Sequence, residues 1–179
     1  IVDHYALDVN WEKSLNDSCY KLIVIDDLAN RKHVCDILID QNLVHDMDRR
    51  YQDLVPEHCM LLLGPTYALL QSSYEKFRKH SLPKEKVKKI LIYFGGVDSK
   101  RLTERSLIAF LRLNYIHIEL HIVISGNSPR KRFIYDLIKG CDNIHLYTDL
   151  PSLAPLMSEV DFCIGAGGTT TWERLCMGL

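Results

Sequence analysis

Short runs of β-branched and aliphatic residues alternate with amphipathic stretches along the whole chain. This alternation is typical of a parallel sheet whose faces are covered by helices. Strands are predicted at 22–26, 36–40, 59–64, 89–96, 118–126, 143–149 and 160–165. Helices are predicted at 9–18, 67–80, 99–113, 129–139, 152–158 and 169–177. The pattern therefore predicts an α/β fold.

The most polar window is "RKHSLPKEKVKK" at 78–89, which contains a proline and is followed at once by a new strand. Such a window is typical of a linker between domains. Residues 1–80 are predicted to be the C-terminal part of one domain, 81–88 the linker and 89–179 a second domain. Because the first residue is not methionine and a strand is expected after the last helix, both domains are expected to be incomplete in this chain.

Charge and hydropathy exclude several classes of partner. The 179 residues include 22 Lys and Arg against 23 Asp and Glu, so no basic surface for nucleic acid is expected. No apolar run is long enough to span a membrane, and "IVDHYALDVN" at 1–10 lacks the basic start of a signal peptide. A cytoplasmic location is expected, and no cofactor is predicted.

The six cysteines contain no CxxC pair, which favours reduced structural thiols. A zinc site could be assembled on paper from His33, Cys35, His45 and Cys59. Their spacing matches no known zinc pattern, so no metal site is predicted.

Two glycine-rich turns follow predicted strands in the second half. Gly95 and Gly96 follow "ILIYF", and Gly167 and Gly168 follow "DFCIGA". In a doubly wound sheet, ligands bind where strands run into helix N-termini, and glycine lets main-chain N–H groups approach a phosphate. A single Gly-Gly turn is often only a tight turn, but two in one domain favour phosphate binding.

Side chains beside the second turn extend this hypothesis. Thr169, Thr170 and Thr171 can donate hydrogen bonds to the same anion, and the Glu173 carboxylate can accept from ribose hydroxyls. A nicotinamide cofactor fits less well, because its glycine fingerprint belongs after the first strand of a domain.

Five blocks of sequence, in order, resemble the UDP-sugar hydrolases of the pseudaminic acid pathway, a family that also includes spore coat polysaccharide biosynthesis proteins. The blocks are "VDHYALD" (2–8), "IDDLANRKHVCDILIDQN" (25–42), "LLGPTYALL" (62–70), "FGGVDSKRLT" (94–103) and "GAGGTTTWERLCMGL" (165–179). The family usually has an arginine after "YALL", where this chain has Gln71.

The resemblance implies two Rossmann-like domains of the glycosyltransferase B type, with UDP held by the C-terminal domain. Carried over by motif, Glu173 would bind the ribose, and the turn at the end of the second domain would wrap the pyrophosphate. The main chain of Tyr147, in "HLYTDL", would read uracil. The pyrophosphate contacts would come from Gly167, Gly168, Thr169 and Thr170, with Gly95 and Gly96 on the other side.

The family's reaction is hydrolysis of a UDP-diacetamido-trideoxy-hexose at C1 with inversion. The resemblance places its histidine base upstream of this chain, which is therefore expected to bind nucleotide without turnover. Within the chain, Tyr5 is the candidate for contacting sugar or water, and Asp3 for orienting Tyr5. Asp3 as a helix cap and Tyr5 as a packing residue are equally compatible with the sequence, and His4 is a weaker candidate base.

Two other functions stay open at this point. A glycosyltransferase would use the same UDP site but pass the sugar to an acceptor. A nucleotide-binding fragment would have no activity.

Overall fold

The computed structural model describes residues 1–15, 17–78 and 86–179, which form two compact units, 1–69 and 70–179. Each unit has its own parallel sheet, so the prediction of two separate α/β sheets is confirmed. Helix α2 (Ser72–Arg78) belongs to the second unit. The predicted linker at 81–88 lies partly outside the described residues and stays a prediction. Among the described residues, no helix is both long and apolar enough to cross a membrane.

The first unit contains strands β1 (Ile23–Ile25), β2 (Ile37–Asp40) and β3 (Met60–Leu63), which pair in that order. Val2 adds a parallel bridge to Val24 on the other side of β1. Short 3-10 turns occupy Met47–Arg49 and Pro65–Tyr67. The buried apolar core consists of Val2, Leu22, Val24, Cys35, Leu38 and Tyr51.

Helix α1 (Val9–Lys13) is shorter than the predicted helix at 9–18. Asp8 begins it, because its Oδ1 accepts hydrogen bonds from the N–H groups of Asn10 and Trp11. At its end the Ser14 hydroxyl donates to the Trp11 carbonyl at 2.6 Å. Polar side chains that bond nearby main chain in this way compete with helix continuation.

The second unit contains β4 (Lys89–Tyr93), β5 (Glu119–Ile124), β6 (Ile144–Thr148) and β7 (Phe162–Gly165), all parallel, in the order β6-β5-β4-β7. Its later helices are α3 (Leu102–Leu113), α4 (Lys131–Ile138), α5 (Ala154–Glu159) and α6 (Thr169–Met177). The starts of β4 and β7 are joined by Asp161, whose carboxylate accepts from the N–H groups of Lys88 and Lys89.

Alternating side chains of the strands fill two cores on opposite faces of this sheet. Ile92 of β4 packs in the core that α3 and α4 cover through Leu107 and Ile134. Leu91, its neighbour, packs in the core that α2, α5 and α6 cover through residues such as Tyr74 and Met177. The unit is therefore a doubly wound sheet.

Gly165, the last residue of β7, lies too close to β4 to carry a side chain. A Cβ added there would stand 2.5 Å from the Tyr93 carbonyl oxygen and 2.4 Å from Nη1 of Arg174. The main-chain oxygen belongs to a paired strand and cannot move away freely. The absence of a side chain at this position therefore sets how closely the two strand ends approach.

We predict that Gly165→Ala lowers the free energy of unfolding by about 1–3 kcal/mol, the usual cost of inserting a methyl group into a packed region. Gly167→Ala is the control, since a Cβ there would meet nothing within 4 Å. Urea unfolding of both variants measures the difference. Equal unfolding midpoints for the two variants would contradict the assigned close approach.

Candidate functional site

The strand order creates a crevice at the carboxyl ends of β4 and β7. Strand β4 has β5 as its neighbour on one side and β7 on the other. The ends of β4 and β7 meet where Tyr93 pairs with Gly165. The loops after these two strands therefore start side by side and run to helices on opposite faces. Ligands of doubly wound proteins bind at such a switch point.

Both glycine-rich turns predicted from the sequence lie at this crevice. Added Cβ atoms at Gly95, Gly96, Gly167 and Gly168 would meet nothing within 4 Å, so the main chain there borders open space. Gly95 and Gly168 have φ values of 89° and 106°, which disfavour a side chain. The four glycines leave the main-chain N–H groups accessible to a ligand.

Helices begin directly after both turns. Gly168 precedes the first residue of α6, whose initial N–H groups point out of the helix N-terminus, where anions are favoured. After the first turn, Asp98 caps α3 by accepting from the N–H groups of Leu102 and Thr103, each at 2.8 Å. The first N–H groups of α3 are thus already bound by the negatively charged Asp98 side chain and are not free for an anion. Of the two, the N-terminus of α6 is the better anion site.

Arg174 is a component of the site that the sequence analysis did not identify. Its Nη2 donates to the Ala166 carbonyl at 2.8 Å and to the Thr171 hydroxyl at 3.2 Å. Its Nη1 lies 3.5 Å from Thr170 Oγ1. The guanidinium thus fixes the turn that contains Gly167 and Gly168 and adds a positive charge beside it. Because Thr170 accepts from the arginine, its hydroxyl proton stays available to a ligand. The i to i+4 spacing from Thr170 was the signal in the sequence.

Glu173 is partly buried between α6 and α2. Burial raises the pKa of its carboxyl, and hydrogen bonding by Tyr74 and the charge of Arg174 oppose that rise. Its Oε2 is buried and has no hydrogen-bond partner among the described residues. Burial, followed by the charge of Glu173, also raises the pKa values of Tyr74 and Tyr93. A carboxylate with a vacant acceptor oxygen can accept from a ligand hydroxyl.

The main chain of Tyr147, which was expected to contact uracil, faces the neighbouring strand β5. Asn143 O accepts from Leu120 N, and Asp149 N donates to Ile124 O, so alternate residues of β6 point their main chain toward β5. Tyr147 follows that alternation and is engaged in the sheet, with Val123 as its partner. The N–H and C=O of Thr148 face away from β5. At this end of β6, the main-chain groups that are not directed at β5 are therefore those of Thr148.

A cavity of about 350 Å³ adjoins the first glycine turn at the carboxyl ends of β4 and β5. The N–H of Gly126 in the neighbouring loop is bound by Asp149 at 2.8 Å. The cavity is lined by Gly96, Val97, Asp98, Ser99, Ser125, Asn127, Ser128, Pro129 and Arg130.

Tyr5 belongs to the first unit and is 63% exposed, so it is not a packing residue. The carboxylate of Asp27, through hydrogen bonding and charge, is the main cause that raises the pKa of Tyr5; burial and Asp3 contribute less. Asp27 thus influences the Tyr5 phenol more than Asp3 does, and the orienting role of Asp3 stays a prediction. Asp3 does not cap the following helix, because Asp8 does. His4 Nδ1 accepts the Ala6 N–H at 3.1 Å.

The four residues considered for a zinc site have separate surroundings. His33 Nδ1 lies 2.6 Å from Glu12 Oε1, and both side chains are fully buried. Cys35 Sγ and Cys59 Sγ are 3.6 Å apart, while the His45 side chain is 92% exposed. No group of metal-binding residues was found among the described residues.

Known proteins resemble this chain over most of its length. It is 28% identical over 178 residues to the UDP-2,4-diacetamido-2,4,6-trideoxy-beta-L-altropyranose hydrolase of Campylobacter jejuni, covering 99% of this chain and 62% of that protein. The resemblance inferred from the five blocks is confirmed. The spore coat polysaccharide biosynthesis protein SpsG of Bacillus subtilis is 26% identical over 133 residues, covering 74% of this chain and 39% of SpsG.

The fold comparison agrees. The crystal structure of Acinetobacter baumannii MurG matches with a TM-score of 0.52 at 16% identity, covering 95% of this chain and 47% of that one. The fold is therefore α/β of the glycosyltransferase B type, with Rossmann-like units. No protein-family model matches the chain. The chain spans less than two thirds of the length of these relatives.

We predict that the partly buried Glu173 makes the free energy of unfolding depend on pH. Because its folded pKa is raised, the stability associated with its protonated form is present below the unfolded pKa and is lost as pH rises through the folded pKa. Glu173→Gln should therefore gain stability relative to wild type between pH 4 and pH 7, roughly the range above an ordinary glutamate pKa.

Urea unfolding across this pH range measures the effect. Glu57→Gln, at an exposed position, is the matched control and should show no such change. A Glu173→Gln difference from wild type that is constant with pH would contradict the raised pKa.

Proposed function

We propose that the second unit binds the UDP part of a UDP-sugar. The observation that carries this proposal is the meeting of two glycine turns at the switch point, above open space and beside the N-terminus of α6. The pyrophosphate would lie against Gly167 and Gly168, with Thr169 and Thr170 as further donors. Gly95 and Gly96 would approach it from the other turn.

Arg174 supports this assignment electrostatically. Its guanidinium is fixed by the Ala166 carbonyl and the Thr171 hydroxyl, so the positive charge is already in place before an anion arrives. Preorganised charge of this kind loses little entropy when the ligand binds. The diphosphate would thus meet main-chain N–H groups, hydroxyl groups and a fixed cation.

Glu173 and Thr148 would contact the nucleoside. The Glu173 carboxylate would accept from ribose hydroxyls after a rotation of the side chain that brings its buried, unpartnered Oε2 to the ligand, since a buried carboxylate oxygen without a donor is costly. The outward N–H and C=O of Thr148 would read the edge of the base. Both assignments rest on the geometry of this unit and on the resemblance of its motifs.

The reaction proposed for the whole protein is hydrolysis of a UDP-diacetamido-trideoxy-hexose in nonulosonic acid or surface polysaccharide biosynthesis. Water would attack C1 on the face opposite UDP, the C1–O bond to UDP would break, and the configuration would invert. Tyr5 is the residue of this chain proposed to contact the sugar or the water, and Asp27 its partner. The support is the similarity to the Campylobacter jejuni hydrolase over 99% of the chain.

Binding of UDP should depend on Glu173 and on the second phosphate. Glu173→Ala is expected to weaken UDP binding by about 1.5–3 kcal/mol, the range for hydrogen bonds to charged groups. UMP should bind less tightly than UDP, because it cannot fill the Gly167 turn. Isothermal calorimetry measures both, with Glu57→Ala in the first unit as the control. Equal affinities for UDP and UMP would exclude a pyrophosphate site at this turn.

Product analysis tests the reaction itself. The active protein should release free sugar and UDP from the UDP-sugar without any acceptor, and Tyr5→Phe should slow release roughly 10- to 10⁴-fold, as for loss of a residue that assists proton transfer. UDP affinity should be unchanged in Tyr5→Phe. Turnover that requires an acceptor would identify a transferase. Binding without turnover would identify a nucleotide-binding protein.

A further inference from the structure

The loop that carries Tyr5 is held at both of its ends by one side chain. Arg31 Nε donates to the Leu7 carbonyl at 3.0 Å, and its Nη2 lies 3.4 Å from the His4 carbonyl. These two carbonyls flank Tyr5 in the chain, and the Leu7 N–H closes the same turn on His4 O at 3.4 Å. The planar guanidinium therefore fixes the main chain on each side of the tyrosine.

Arg31 is itself anchored to a buried carboxylate. Its Nη1 lies 2.6 Å from Asp26 Oδ1, and the Asp26 side chain is fully buried while that of Arg31 is 15% exposed. The other carboxylate oxygen of Asp26 accepts from the Ala29 N–H at 2.9 Å and from the Tyr51 hydroxyl at 3.1 Å. A buried ion pair with these additional hydrogen bonds has a defined geometry, which a freely moving surface pair lacks.

Asp27, whose carboxylate raises the pKa of Tyr5, is held by the same group of residues. Its main-chain carbonyl accepts from Arg50 Nη2 at 2.6 Å, and Arg50 Nη1 lies 2.6 Å from Asp40 Oδ2. The oxygen of the Tyr51 hydroxyl lies 3.1 Å from that Asp40 oxygen and 2.9 Å from the Asp26 carbonyl oxygen. Each of the two arginines thus joins a buried carboxylate to the main chain, Arg31 at the loop of Tyr5 and Arg50 at Asp27.

We propose that Arg31 is a positioning residue for Tyr5: it transmits the fixed geometry of the buried Asp26 carboxylate to the main chain on both sides of the tyrosine. The proposal rests on the proposed hydrolase function only in that Tyr5 takes part in the reaction. Arg31 has no role in UDP binding, because UDP is assigned to the second unit.

A double-mutant cycle in the active protein tests the coupling. Arg31→Lys keeps the charge but loses the planar fork, and it should lower kcat at least roughly tenfold while UDP affinity stays within about twofold, as expected for lost positioning. In a Tyr5→Phe background the same change should lower kcat by less than about threefold, because coupled residues are not additive. Arg49→Lys, at an exposed position, is the matched control.

Additive losses in the cycle would overturn the proposal, since they would show that Arg31 acts on overall folding and not through Tyr5. Circular dichroism confirms that each variant is folded. Arg31→Gln, which keeps an N–H donor and removes the charge, replaces the lysine variant if that variant is unfolded.

A second measurement separates this proposal from the proposed reaction. If the wild-type protein hydrolyses no UDP-sugar, the proposed function fails, and Tyr5 is followed by NMR titration of carbon-13-labelled tyrosine. Arg31→Lys should bring the pKa of Tyr5 down toward its ordinary value, because the phenol would move away from the charge of Asp27. An unchanged Tyr5 titration would overturn the role of Arg31 whatever the activity.

Discussion

The candidate nucleotide site depends on the close approach of Gly165 to the end of β4. The Tyr93 carbonyl occupies the space that a side chain at Gly165 would need, and the Arg174 guanidinium occupies the rest. This approach places the two glycine turns side by side and directs α6 with its N-terminus at the open space above them. Arg174 then holds the turn through the Ala166 carbonyl, so one packing constraint creates both the shape and the charge of the site.

The first unit uses a different principle. Its carboxyl edge is held by a buried cluster of charged and polar groups instead of by close main-chain contact. Asp26 and Asp40 are buried, and each is paired with an arginine, which is the condition for keeping charge inside a protein. Glu12 and His33 extend the buried set toward α1. Such clusters give defined geometry more than they give stability, which suits a loop that presents an exposed tyrosine.

The sequence pattern predicted the strands well because their β-branched runs are short and are separated by clear turn residues. Two helix ends were less accurate, since α1 ends and α3 begins where the local side chains of Ser14 and Asp98 bond the main chain. Glycine positions and Glu173 could be predicted because their chemistry is local. Asp27 could not, because its role comes from the packing of distant segments, and Arg174 was signalled only by its i to i+4 spacing from Thr170. The main chain of Thr148, and not that of Tyr147, faces away from β5. This follows from the register of β5 and β6, which the hydrophobic pattern of the sequence does not determine.

The most direct test of the central claim, that a nucleoside diphosphate lies against the two glycine turns, is an NMR titration of the protein labelled with nitrogen-15 glycine. The nine glycines give few and well-separated amide signals. Addition of UDP should shift the amides of Gly95, Gly96, Gly167 and Gly168. The amides of Gly64, in the first unit, and Gly140, after α4, should stay in place. Unchanged signals from all four glycines of the turns at saturating UDP would contradict the account.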